Sequence, residues 1–230
     1  MSSESGANGN GQTAAALTRQ WSGVPILGLV HKLNECGIDT LQRLARTGRP
    51  EHVPDLVASL RSLWRNLDVT DRQRAATCPF LLLDVHFQNE TWWRLCRQSR
   101  LPRRQDVARF RGLPAKPGAT LMRESLVLAW HTARLNPRAS CLLLGISPAV
   151  ADLIAAMGLQ DIERLAESQH SHLRPRWEDR PYFWRQLLVA ARNRDDDTLR
   201  ELHVHGLQLA GGELIQDRAR FCAHSLVGDA

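Results

Sequence analysis

The sequence predicts an all-α fold, and three observations carry that prediction. Apolar residues recur at a 3.6-residue period over several long stretches, the spacing that lines one face of a helix. Strand signals are weak: sustained alternation is absent, and hairpin dipeptides such as Asn-Gly occur only near the start of the chain. The composition is that of a globular protein, with 43% apolar and 23% charged residues among 230. A chain of this kind buries a core without disulfides or metals holding it together.

Taken in order, the segments read as follows. Residues 1–20 form a disordered tail, because 1–13 are rich in Ser, Gly, Asn and Gln. Residues 21–98 form an N-terminal helical half. Within it VPDLVASLRSLWRNL (53–67) puts Val53, Leu56, Val57, Leu60, Leu63, Trp64 and Leu67 on one stripe. CPFLLLDVHF (78–87) is the one ambiguous run and fits a short buried strand. SRLPRRQDVARFRGLPAKPGA (99–119) holds three prolines, two glycines and a run of positive charge, which reads as a linker. Residues 120–230 form a second helical half. In it Leu121, Ser125, Leu128, Ala129, Thr132 and Leu135 share a stripe. DDDTLRELHVHGLQL (195–209) opens with acidic residues, which suit a helix N-terminus, and places Leu199, Leu202, Gly206 and Leu209 at helical spacing.

The halves echo each other. CGIDTLQRLA (36–45) resembles MGLQDIERLA (157–166), and Leu63-Trp64-Arg65 pairs with Phe183-Trp184-Arg185 at nearly the same offset. The common order of these matches suggests a diverged tandem repeat. Composition alone also makes short Leu- and Arg-rich helices look alike.

Charge and cysteine content narrow the function classes. The formal net charge is +6 and the pI about 9.6, which permits an acidic partner such as nucleic acid. The basic residues are nearly all arginine, Lys32 and Lys116 being the lysines. Cys36, Cys78, Cys96, Cys141 and Cys222 are odd in number, far apart and form no CxxC, so neither a disulfide framework nor a zinc ribbon is indicated. A reducing compartment is expected. Neither a secretory leader nor a membrane-length apolar run is visible, so the expected location is the cytoplasm.

GISPAVADLIAAMGLQDIERLAE (145–167) reads as two short helices folded back tightly. Ser147 suits an N-cap and Pro148 the first turn; Gly145 and Gly158 can each close a helix in the left-handed conformation. Val150, Ile154 and Met157 line one face, Ile162 and Leu165 the next. Helices this short persist only by packing, here against the helix at 120–136.

The wider stretch LVLAWHTARLNPRASCLLLGISPAVADLIAAMGLQDIERLAE (126–167) resembles the core of the FlhD family, the flagellar master transcriptional regulators. The shared elements are an apolar helix with Leu126, Leu128 and Ala129, and a helix ending Leu144-Gly145-Ile146. A small-residue helix with Ala151, Ala155 and Ala156 follows, then a closing Leu165-Ala166-Glu167. The resemblance continues more loosely to about 215. It implies an all-helical, self-associating protein that activates flagellar operons together with a zinc-binding partner subunit, FlhC, which supplies much of the DNA affinity. Family members are about half this length. The cysteine that some of them carry just past Leu-Ala-Glu has no counterpart in SQHSHLRPRW, so a redox-linked dimer is not expected.

Two basic stretches are candidates for DNA contact. Arg97, Arg100, Arg103, Arg104, Arg109, Arg111 and Lys116 stand against one acid, Asp106, and can neutralise phosphates; the alternative is a solvated connecting segment. In HLRPRWEDRPYFWRQ (172–186), Arg174, Arg176, Arg180 and Arg185 interleave with Trp177, Tyr182, Phe183 and Trp184. That mixture can grip a phosphate backbone, or build a protein interface, and the second is favoured. Leu128, Leu144, Trp177 and Trp184 are the expected interface anchors. The pair 148–157/159–167 has helix-turn-helix proportions, but Asp161 and Glu163 disfavour groove reading.

His170/His172 and His203/His205 are the remaining clusters. His-x-His on a helix splays the rings, so a metal site is not expected. Nucleotide loops, nucleophile elbows and zinc-protease motifs are missing from the sequence, and neither catalysis nor a cofactor is expected. The expectation is a DNA-binding transcriptional regulator acting with a partner subunit. The alternative is a helical interaction adaptor or chaperone of a motility or secretion system that does not touch DNA.

Overall fold

A computed structural model describes residues 26–48, 53–98 and 115–227, and the side chains of these except at 115 and 217–227. The all-α class holds: the structure is 77% helical, with one tiny two-stranded sheet. In chain order the elements are α1 (Ile26–Thr47), α2 (Asp55–Ser59), α3 (Arg61–Arg65), α4 (Val69–Ala75), β1 (Leu83–Asp84) and α5 (Glu90–Arg97). Further along come α6 (Ala115–Leu135), α7 (Pro137–Leu144), α8 (Pro148–Ala155), α9 (Leu159–Gln169), a 3-10 turn (His170–His172), β2 (Arg174–Pro175), α10 (Pro181–Asn193) and α11 (Asp196–Val227).

The helix signals act locally as their chemistry dictates. Asp68 and Asp71 form a reciprocal capping box that opens α4. Asn136 and Ser147 accept from the backbone N–H groups of Ala139 and Val150, and a proline follows each cap. Asp195 accepts from Thr198 N–H and opens α11. Gly145 closes α7 in the left-handed conformation, φ 72°. Gly158 behaves otherwise: it sits in extended backbone and opens α9, its N–H donated to Asp161.

The long helix α6 is the hub. It packs on α7, α8 and α9 along one side and on α1 along another. Val150, Ile154 and Ile162 are fully buried, Met157 and Leu165 nearly so, and the Trp130 indole donates to Met157 O. The stripe read over 120–135 is buried from Leu121 to Thr132, but Leu135 is exposed at the helix end. The stripe over 53–67 is divided between α2 and α3, which meet at a break at Leu60. Gln42 holds that corner by donating to Trp64 O and Leu67 O.

The 78–87 run forms two strand residues, not a full strand. Leu83 pairs with Pro175 and Asp84 with Arg174, antiparallel. The rest threads through the interior as irregular chain, with Phe80, Leu81, Leu82, Val85 and Phe87 at most 1% exposed. A buried loop needs partners for its peptide groups. Asn34, itself fully buried, supplies several: its amide donates toward Ala76 O, Cys78 O and Phe80 O, and its oxygen accepts from Leu82 N–H. Leu81 N–H is donated to Leu143 O.

The segments on either side of 99–119 share one hydrophobic core. α10 packs on α3 and α4, and Trp64 meets Trp184 at 5.6 Å between ring centroids. The end of the expected linker is helical, since α6 begins at Ala115; the tail and 99–114 lie outside the described residues. The echoed segments differ in local structure. Residues 36–45 lie inside the unbroken helix α1, whereas 157–166 turns a corner at Gly158. Among the described residues no single helix is long and apolar enough to cross a membrane.

Candidate functional site

The β1–β2 pairing organises an open cleft of about 840 Å³. β1 and the chain leading into α5 form one wall, with Asp84, His86 and Glu90. The α7–α8 corner contributes Gly145 and Ala149. Beside β1, the segment from Arg174 to Asp179 continues the lining, and Glu213 of α11 adds to it.

Two arginines face this cleft and both are engaged. Arg174 donates from Nε to Asp84 at 2.9 Å and from Nη1 to Glu178 at 3.3 Å. Burial works against its charge, but Asp84 and then Glu178 more than compensate and raise its pKa. Arg176 is 4% exposed and donates from Nη2 to Glu213 Oε2 at 2.5 Å. Its guanidinium lies 4.6 Å over the Trp177 ring, and Trp177 Nε1 donates to the other oxygen of Glu213 at 2.7 Å. Arg176 Nη1 is buried and has no hydrogen-bond partner.

Two backbone positions on the cleft walls are unusual. His86 and Trp177 adopt positive φ, 49° and 53°, where side-chain-bearing residues are rare. Both are pinned. His86 O accepts from Asn89 N–H and from the Trp93 indole, and His86 Nε2 lies 2.9 Å from His172 Nδ1. Trp177 O accepts from Arg180 N–H. Burial, and then the Arg174 charge, lower the pKa of His86. Glu178 moves the other way: removal from water raises its pKa, with Asp84 and Asp179 adding repulsion against the pull of Arg174.

Several expected site residues turn out to be structural. Leu128, Leu144 and Trp184 are fully buried and Trp177 is 7% exposed, so these four are core and not surface anchors. The reason is that large apolar and aromatic side chains serve an interior and an interface equally well. Arg176 is spent inside the fold and cannot reach an external phosphate; Arg174 is committed to two carboxylates. Arg180 is exposed at the start of α10. Arg100, Arg103, Arg104, Arg109 and Arg111 lie outside the described residues. Asp84, His86, Gly145 and Glu213 complete the cleft, and no local pattern in the sequence marks them as its lining.

Other chemistry is sparse. Burial raises the pKa of Cys36, Cys78 and Cys96, the last to about 12, which keeps these thiols protonated. No group of three His, Cys, Asp or Glu side chains placed to hold a metal ion occurs among the described residues. Compared with family models, curated proteins and solved structures, the chain matches none.

Proposed function

We propose that this chain is a non-enzymatic transcriptional regulator resembling the FlhD family, acting on DNA in a complex with a partner subunit. What supports the reading is the packing over 126–167, where the resemblance lies. α7, α8 and α9 are each too short to stand alone, and they fold back on α6 with their apolar faces buried together. Between 172 and 186 the exposed cations are Arg180 and Arg185. The main phosphate contacts are therefore assigned to Arg100, Arg103, Arg104, Arg109 and Arg111.

The test is duplex DNA affinity across a salt series, with and without an FlhC-like subunit. Changing Arg103 and Arg104 together to Ala should reduce the salt slope by about two, roughly one for each phosphate no longer neutralised. An unchanged slope would reject the assignment.

One observation favours a second reading, a helical adaptor without DNA. Arg174 and Arg176, the basic residues that the fold brings to a common cleft, are neutralised by carboxylates. Co-purification of a protein partner from a nuclease-treated extract, with no DNA affinity in any mixture, would establish the adaptor.

A further inference from the structure

The helix α11 carries apolar residues on two opposite sides. On one side Leu199, Leu202, Gly206 and Ala210 are buried, α11 packs on α7 and α10, and Glu213 meets Arg176. On the other side Val204 is 57% exposed and Ile215 71%. Leu207 and Leu214, both partly exposed, flank them. A helix fixed to the core by one face thus offers a second apolar face outward.

The spacing along that outer face is the repeat of a coiled coil. Asp197, Glu201, Val204, Gln208, Gly211 and Ile215 follow one another at alternating steps of four and three residues. The helix continues to Val227, and in sequence the same repeat runs on to Arg218 and Cys222.

The charges in the repeat select both the occupant and its direction. A parallel copy would set Glu201 against Glu201 and Arg218 against Arg218. An antiparallel copy, turned about a two-fold axis level with the Leu209–Ala210 peptide, sets Val204 opposite Ile215 and Gln208 opposite Gly211. Leu207 then flanks the partner's Leu214. The same register brings Glu201 level with the position of Arg218, twice. The stripe is complementary to itself in this direction alone, which is the property an isologous contact requires. A partner of unrelated sequence would call for no such symmetry.

We propose that the outer face of α11 binds the same face of a second copy of this chain, antiparallel, with Val204, Leu207, Leu214 and Ile215 at the centre and Glu201 in register with the partner's Arg218. Gly211 and Gly212 leave room for the crossing, since nothing lies within 4 Å of a Cβ added to either. The contact is independent of how the arginine-rich stretch holds DNA.

The experiment measures the mass of the full chain by sedimentation equilibrium over a range of concentrations. A species of twice 25.9 kDa should form reversibly. V204E/I215E, changed at exposed positions, should keep the circular dichroism of the parent and sediment as a monomer. E201R and R218E should each weaken the dimer about tenfold, because each sets like charges opposite one another in two layers; E201R/R218E should restore it. A parent chain that stays monomeric throughout would overturn the proposal and leave the face to another protein. A dimer that survives V204E/I215E would overturn it too, as would charge swaps that either leave the dimer unchanged singly or fail to recover it together.

Discussion

The Arg176 guanidinium rests on the bare Cα of Gly145, and a methyl added there would overlap Nη2 and the guanidinium carbon. Gly145 also has φ 72°, a conformation that costs any residue with a Cβ about 1–2 kcal/mol. Gly145→Ala therefore meets both penalties, and it displaces Arg176 from Glu213. The expected loss is about 3 kcal/mol, read as a lower urea midpoint. A parent-like midpoint would mean that the guanidinium can move aside freely.

The Arg176–Glu213 pair should behave as a buried ion pair. Glu213→Ala leaves the guanidinium without its partner and should cost about 3–5 kcal/mol. The double change R176M/E213L removes both charges and should be less destabilising than E213A alone. A double-mutant cycle on denaturant midpoints checks this; additive losses would contradict it.

Two glycines of α11 predict opposite outcomes. A Cβ on Gly206 would run into the Phe80 ring, whereas nothing lies within 4 Å of one on Gly211. Gly206→Ala should destabilise by about 1–3 kcal/mol through overpacking. Gly211→Ala should stabilise by up to about 1 kcal/mol through helix propensity. Thermal melts of the two variants side by side give the sign of each.

Acid should unfold the protein earlier than carboxylate protonation would. Burial lowers the pKa of His31, His86 and His203 below 6.5, with charge contributions from Arg174 on His86 and from His31 on His203. The unfolded chain then binds protons more readily than the folded one. Their contribution is complete above pH 6.5 and is lost as pH falls through the lowered values. Urea midpoints between neutral and mildly acidic pH should fall, and His203→Gln should make that fall shallower.

The helices were legible because their signals are local. Ser147-Pro148 and the acidic residues at 195–197 announce helix starts within four residues, and the stripes of 120–132 and 199–209 announce buried faces. The cleft was not legible because its contacts are remote. Arg174 meets Asp84 across 90 residues and Arg176 meets Glu213 across 37. A basic stretch facing water and one neutralised inside a fold have the same composition. The 78–87 run misleads for a different reason: it is apolar at almost every position, so no periodicity remains to separate strand from threaded loop. Its solution depends on one amide, Asn34, more than forty residues upstream.

The sharing of one core has a cost during synthesis. Phe80 and Leu81 leave the ribosome before Leu143, Trp177 and Phe183, which enclose them. At about 5–20 residues per second, a sticky ribbon of phenylalanine, leucine and valine stays uncovered for several seconds or longer. A nascent chain in that state is a client for holdases. Fragments ending before α10 would be recovered as inclusion bodies.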